Sequence, residues 1–440
     1  MYQNIAILFA FVFAYSLVAA PLERTPVAGA LVFTAFGLAL GPMGLNLLEI
    51  GSRAQVLKTL AELTLALVLF MDAANADLGV LRRSYAIPVR LLLVGLPLTL
   101  VLGTAAAYLL FPTIGLLGCA LLSTILAPTD AALGKAVVTN PSVPAAVREG
   151  LNVESGLNDG ICVPVLLILL ALAADRAADN DHLQLVMSHF VREIGIGLVT
   201  GVGLAVIGVW GLRWAERRGW MGTGWRQMPA VALAITSFAA AQALGGSGFI
   251  ASFVGGLAAG WMARRRTVKH ELLMAAEGAG NVLALLTWAL FGATVVSELA
   301  PRLGWEMVAY AGLSLTVIRM APAWIALAGS GVDAGGKVFL GWFGPRGLAS
   351  IVFAVLVLDA EVPGSDLMAA TVACTVILSV VAHGLTANPL SDAFARHAAR
   401  RSEPRGAAVA PGQAGAQVPR RRGAAAAGEP LARDSLWPHA

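Results

Sequence analysis

Glu154-Ser155-Gly156-Leu157-Asn158-Asp159 places two carboxylates, a hydroxyl and a carboxamide at the head of an apolar run that continues from Ile161 to Ala174. A charge at bilayer depth costs roughly 3 kcal/mol even on the lenient insertion scale, so the default reading is an ion or proton site. Ser155 and Asp159 are four apart, as are Glu154 and Asn158. On a helix each pair shares a face, and the two faces adjoin. A second polar insertion, Ala127-Pro128-Thr129-Asp130, interrupts another apolar run. Pro128 removes a backbone donor and disturbs the turn before it. Thr129 and Asp130 are residue types that cap a restarted helix. Carbonyls freed near Thr129, together with Ser155, Asp130 and Asp159, would make an all-oxygen ligand set. Such a set suits a hard cation, and no His or Cys joins it to suit zinc.

Two arginines complete the constellation. Arg319 lies in the middle of an apolar run, where an unpaired guanidinium would be very costly and needs an acidic partner. Glu154 is the expected partner, which leaves Asp130 and Asp159 for an ion. Arg346 sits in Gly344-Pro345-Arg346-Gly347, a second helix-breaking segment. It is expected to neutralise exposed helix-end carbonyls there.

Structural readings stand beside these. Asp130 could be an N-cap only. Asn158 could be an interhelical hydrogen-bond donor rather than a ligand. Glu62, Asp72 and Asp77 border the third apolar run and read as interfacial or packing residues. His383 reads as a hydrogen-bonding residue rather than a proton relay. Gly245-Gly246-Ser247-Gly248 reads as a site of close helix approach. Asp159 resists such an account, because it sits deepest and its own run carries no Lys or Arg nearby.

The elements that must position these groups are membrane helices. The chain has 440 residues, 58% hydrophobic and 13% charged, about half the charge of an ordinary soluble domain. A polytopic membrane protein is the class that fits. Spans need about 20 mostly apolar residues. About thirteen candidates occur, near 4–20, 26–47, 56–76, 87–111, 114–138, 151–174, 194–214, 228–245, 247–263, 278–297, 306–329, 337–358 and 366–388. The second and ninth are Gly-rich and weaker. The N-terminus lacks a basic stretch and a cleavage site, so the first run reads as a retained helix. Lys and Arg alternate between loops: Arg24, Arg82, Arg83, Lys135, Arg148, Arg213, Arg217, Arg218, Arg226, Arg264, Arg265, Arg266, Lys269 and Lys337 fall on one side. That side is expected to be cytoplasmic. An odd span count then puts the N-terminus outside and the C-terminal tail inside.

The two breaks fall in the fifth and twelfth spans. If residues 4–174 and 228–388 are two repeats joined by a linking helix near 194–214, both breaks hold the fifth place of their half. Paired interruptions of that kind point to a transporter site at the midplane. From about Ser391 to residue 440 the chain turns to Ala, Gly, Pro and Arg; it is expected to be a disordered basic tail. Cys119, Cys162 and Cys374 all lie in apolar runs and suggest neither disulfides nor a zinc site. The formal charge of +4 reflects topology rather than a nucleic-acid partner. No Gly-x-x-x-x-Gly-Lys-Ser/Thr loop is present to bind a nucleotide.

These residues resemble the monovalent cation:proton antiporter-1 family, the sodium/proton exchangers. The resemblance is carried by Ala-Pro-Thr-Asp at 127–130, Glu-Ser-Gly-Leu-Asn-Asp-Gly at 154–160, Gly-Gly-Ser-Gly-Phe at 245–249, Arg319, Gly-Pro-Arg-Gly at 344–347 and His383-Gly384, with the third span from Glu62 to Asp72 also similar. It extends from about residue 4 to 390. It implies an all-α fold of about thirteen helices in two inverted-topology repeats. A six-helix core would carry the crossing discontinuous helices 5 and 12, beside a dimerisation domain, in a homodimer in the cell (inner) membrane. It implies that Asp159 is the transport carboxylate, with Asp130, Ser155 and the Thr129 backbone as co-ligands and Asn158 completing an Asn-Asp motif. Glu154 and Arg319 would be the core ion pair, and members with Asn-Asp are usually electroneutral. The family's commoner Thr-Asp-Pro reads Thr-Asp-Ala here, with Ala131, and its paired Leu reads Gly156-Leu157; both departures lie beside the site.

The expectation is a secondary transporter exchanging Na⁺, K⁺ or Li⁺ for protons, with cation and proton competing for Asp159 and no cofactor. Two rivals stand: a cation channel or ion sensor on the same fold, and an intramembrane aspartyl enzyme with Asp130 and Asp159 as a dyad.

Overall fold

The computed structural model describes residues 2–22, 25, 27–48, 54–76, 86–130, 133, 137, 143–177, 183–222, 225–226, 228–263, 266–297 and 303–402. Met1–Arg400 forms one compact unit. In lipid each backbone polar group must be bonded within the protein, which leaves helices as the economical solution for apolar runs of this length. Among the described residues the regular structure is wholly helical.

In chain order the helices are α1 Tyr2–Leu22, α2 Gly29–Leu40, α3 Ala54–Asn75, α4 Ala86–Leu110, α5 Gly115–Ile125, α6 Ala145–Ala177, α7 Leu183–Arg217, α8 Met228–Ala243, α9 Gly248–Met262, α10 Arg266–Phe291, α11 Trp305–Ala326, α12 Ala334–Trp342, α13 Leu348–Asp359 and α14 Ser365–Ser402. Among the described residues, seven helices are long and apolar enough to cross a membrane by length and composition, and five shorter apolar segments accompany them. Each expected span has a helix, the twelfth being divided into α12 and α13. The two Gly-rich spans give the short helices α2, of 12 residues, and α9, of 15. The fifth span stops as regular helix at Ile125, and part of its second half lies outside the described residues. Asp77, Arg82, Arg83, Ala131 and Lys135 also lie outside them.

Several helices run past their expected ends, α7 and α14 among them. The linking helix α7 spans Leu183–Arg217 rather than 194–214. The last helix, α14, continues through Pro389 to Ser402, beyond the tail boundary expected near 391. Tertiary contacts hold this extension. Phe394 stacks on Phe339 of α12 with ring centroids 4.3 Å apart, and His397 Nε2 lies 2.8 Å from Asp333 Oδ2. Asp333 in turn caps α12, its Oδ1 accepting from the Gly336 N–H. The tail beyond Ser402 is outside the described residues.

Glycine spacing brings α3 into the middle of the molecule. Gly256 and Gly260 of α9, one turn apart, lie against the carbonyls of Phe70 and Ala74, where a Cβ on either would collide with the α3 backbone. Leu65, Ala66, Leu67, Leu69 and Phe70 of α3 are consequently buried. The Gly245–Gly248 segment does allow close approach, as its composition suggests. Gly246 and Gly248 lie against Ile196 and Phe238, Gly245 takes φ 75°, and Ser247 caps α9 by accepting from Ile250 N–H.

Candidate functional site

The polar half of α6 is buried among partners. Glu154, Ser155, Asn158 and Asp159 are each at most 6% exposed. Arg319 of α11 reaches Glu154 through a two-pronged bridge, NH1 to Oε1 at 2.8 Å and NH2 to Oε2 at 3.0 Å. Asn158 Nδ2 donates to Thr129 Oγ1 at 2.7 Å and to Glu154 Oε1 at 3.3 Å, and its Oδ1 accepts from the Thr129 N–H at 3.4 Å. Ser155 Oγ donates to the Thr129 carbonyl at 2.6 Å. The first break is thereby clamped to α6 through Thr129. Asn158, offered above as a ligand or an interhelical donor, uses both ends of its amide in that clamp.

The two breaks meet, and each residue of Gly344-Pro345-Arg346-Gly347 has a separate task there. A Cβ at Gly344 would strike the Arg319 guanidinium, so this glycine leaves the passage through which Arg319 reaches Glu154. The Pro345 carbonyl accepts from the Asp130 N–H at 2.8 Å. Arg346, fully buried, donates through NH1 to the carbonyls of Ala127 at 2.8 Å and Pro128 at 3.2 Å. Its positive charge therefore sits on carbonyls at the end of α5, where the helix leaves acceptors without intrahelical donors. A Cβ at Gly347 would strike the Asp130 carboxylate. Pro128 ends α5 and presents one of the carbonyls that Arg346 holds. His383 braces this region from α14, with Nε2 2.9 Å from the Trp342 carbonyl and Nδ1 2.8 Å from that of Ser379.

Asp130 caps a helix distant in sequence, whereas the restarted helix expected to follow it lies mostly outside the described residues. Its Oδ2 accepts from the N–H of Leu348, the first residue of α13, at 3.2 Å. A local reading could only offer the helix that follows Asp130 in sequence; the crossing offers the N-terminus of another.

Asp159 is set apart from this network. Its Oδ1 is buried with no hydrogen-bond partner among the described residues. Asp72, Asp130 and Glu154 are close enough to act on its charge. The site thus contains a paired part, centred on the Glu154–Arg319 bridge, and an acidic part around Asp159 that no described Lys or Arg bridges.

Asp72 was missed as a site residue. The sequence places it three residues from the end of α3 and suggests an interfacial or packing role. The glycine contacts of α9 instead draw α3 inward, and Asp72 Cβ lies 3.2 Å from where a Cβ on Gly156 would be. Gly156 itself carried the only local signal, a small residue between Ser155 and Leu157 where a leucine is commoner. A second unforeseen feature is the interruption of α11 at Thr316, with φ −111° and ψ −94°. It occurs three residues before Arg319.

A sodium/hydrogen exchanger transmembrane family model matches residues 7–393. The K⁺/H⁺ antiporter NhaP of Alkalimonas amylolytica is 27% identical over 367 residues, covering 82% of this chain and 61% of that protein. The K⁺/H⁺ antiporter NhaP2 of Shewanella sp. (strain ANA-3) is 24% identical over 265 residues, covering 60% and 45% respectively. The chain thus spans about half the length of these curated relatives. The structure of the sodium proton antiporter MjNhaP1 from Methanocaldococcus jannaschii superposes with a TM-score of 0.72 at 19% identity, covering 90% of this chain and 99% of that one.

Proposed function

The chain belongs to the sodium/hydrogen exchanger family, and from that premise we propose that it exchanges a monovalent cation for protons at Asp159. The observation that carries the proposal is the buried Asp159 Oδ1 with no partner. An isolated carboxylate charge in such surroundings is very unfavourable. It must be neutralised, and either a proton or a monovalent cation does so. Because both compete for one carboxylate, occupancy by one excludes the other. Coupling follows if the core crosses between its two orientations only when Asp159 is neutralised.

Ser155, the Thr129 carbonyl and Asp130 supply further oxygens beside Asp159. Asn158 holds Thr129 in place, and the Glu154–Arg319 pair fixes α6 against α11. Arg346, Pro128, Gly344 and Pro345 keep the two breaks crossed. In this reading the core comprises α4–α6 and α11–α14, the remaining helices form a dimerisation domain, and the molecule works as a homodimer in the inner membrane. The arginine-rich loops face the cytoplasm and the N-terminus lies outside. The relatives are named as K⁺/H⁺ antiporters and the structural neighbour as a sodium proton antiporter, so both ions belong in the test.

Everted vesicles carrying the protein, monitored with a pH-sensitive dye, should dissipate an imposed acid gradient on addition of NaCl, KCl or both. Asp159→Asn should abolish that response. Competition predicts that the half-saturating cation concentration rises tenfold for each unit the pH falls below the carboxylate's titration range. A mutant that exchanges at the wild-type rate would remove Asp159 from its role.

A further inference from the structure

The α7–α8 end of the molecule carries a second site that the transport reading does not use. Between α3, α7, α8, α9 and α10 lies a pocket with about 410 Å³ of empty volume. Its lining includes Phe70, Val209, Leu212, Pro229, Leu233 and Leu273, and among the described residues no side chain lining it is polar. That volume includes the open mouth, so the pocket is a narrow, half-open cleft with the width of a single chain rather than an enclosed cavity.

The rim of the pocket is basic. Val209, Arg213 and Arg217 follow one another at four-residue steps on α7, so a single helix stripe runs from the pocket wall to two guanidinium groups. Arg213 NH2 donates to the Met262 carbonyl, beside the pocket residue Ala263. Arg217 Nε donates to the Arg213 carbonyl at 3.2 Å. Arg218 sits over two indole rings, 5.4 Å from the centroid of Trp214 and 5.9 Å from that of Trp220. Arg213, Arg217 and Arg218 are all exposed. Among the described residues no carboxylate pairs with them. Residues 213–226 hold four arginines against the single acid Glu216.

We propose that this corner binds an anionic phospholipid, with an acyl chain in the pocket and the headgroup phosphate on Arg213 and Arg217. The pocket alone would take any apolar chain, and the arginines alone would be an ordinary basic interface with aromatic anchors. Their alignment on one stripe of α7 selects a molecule that is apolar at one end and anionic at the other. Arg218, held over Trp214 and Trp220, marks the depth at which the headgroup meets water. This site stands whether or not Asp159 carries the transported ion.

Native mass spectrometry of the purified full-length protein can test it with dioleoyl phosphatidylglycerol, dioleoyl phosphatidylcholine, dihexanoyl phosphatidylglycerol and inorganic phosphate. Dioleoyl phosphatidylglycerol should bind about tenfold more tightly than the zwitterionic lipid. The short-chain analogue should bind more than tenfold more weakly, and inorganic phosphate should leave no adduct. Arg213→Ala and Arg217→Ala should each lower affinity for the anionic lipid about fivefold, the scale of one basic residue near a membrane surface. Leu233→Trp, which fills the pocket, should weaken both long-chain lipids. Equal binding of the two dioleoyl lipids, or undiminished binding by the double arginine variant, would overturn the proposal. If Leu233→Trp fails to fold, the short-chain analogue still decides, since chain-length independence would exclude the pocket.

Discussion

Glu154 has both carboxylate oxygens held by Arg319, and Oε1 also accepts from Asn158. Asp159, five residues on along the same helix, keeps a buried oxygen with no partner. The residues are chemically alike and similarly buried, so their difference lies in what the neighbouring helices bring to them. α11 brings a guanidinium to Glu154, whereas α3 and the first break bring carboxylates toward Asp159. The first carboxylate is a fixed structural charge. In the function proposed above, the second is left for a mobile one, which is what a carrier of exchangeable ions requires.

The largest effect should come from breaking the paired side. Arg319→Ala leaves Glu154 buried, charged and unpaired, a change that costs about 3–5 kcal/mol in comparable buried pairs. Little folded protein should survive solubilisation, as read by fluorescence-detected size exclusion. Arg319→Lys should rescue only in part, because an ammonium cannot reproduce the two-pronged bridge. Asp159→Asn should do the reverse, leaving the elution profile unchanged while exchange is lost. If Arg319→Ala yields as much folded protein as wild type, the division between fixed and exchangeable carboxylates fails.

Asp72 sharpens the acidic side. A unit charge several ångströms away contributes on the order of 2 kcal/mol at an effective dielectric near 20. Asp72→Asn removes such a charge from the surroundings of Asp159 without emptying space beside Gly156. Above the carboxylate's titration range, where protons do not compete, the half-saturating cation concentration should rise roughly thirtyfold, with the maximal rate less affected. A titration of the dye response with NaCl and KCl measures both. An unchanged titration would return Asp72 to a packing role.

How much of this was legible follows from how local each signal is. An arginine inside an apolar run demands a carboxylate, so Glu154 and Arg319 could be paired from sequence. The four-residue spacings on α6 likewise put Asn158 beside Glu154, to which it donates, whereas they gave no sign that Ser155 and Asn158 would both reach Thr129. The helix-breaking character of Gly344-Pro345-Arg346-Gly347 was also plain. Hidden were relations set by the crossing itself: Asp130 capping α13, Gly344 clearing Arg319, and Gly347 clearing Asp130. Asp72 looked like an interfacial or packing residue because its distance from the end of α3 was visible, whereas the α9 glycines that draw α3 inward lie nearly two hundred residues away. The interruption at Thr316 had no Gly or Pro at that position to announce it. At α14, composition changes near 391, yet Phe394 and His397 find partners on and before α12, so tertiary contacts extend the helix past the change.

An exposed ion pair supplies the smallest expected effect. Lys58 Nζ lies 2.5 Å from Asp359 Oδ2, joining α3 to the end of α13, and the two side chains are 22% and 45% exposed. The distance is shorter than that of the Glu154–Arg319 bridge, but water competes for both groups, and exposed pairs contribute about 0–1 kcal/mol. Lys58→Ala should therefore leave the elution profile intact and exchange within about twofold of wild type. Asp359→Asn should match it, because neither group is stranded in a dry interior when the other is removed. Loss of folding in either variant comparable to that of Arg319→Ala would show that burial is not what separates the two bridges. A selective loss of exchange would instead assign the α3–α13 contact a part in the movement between transport states.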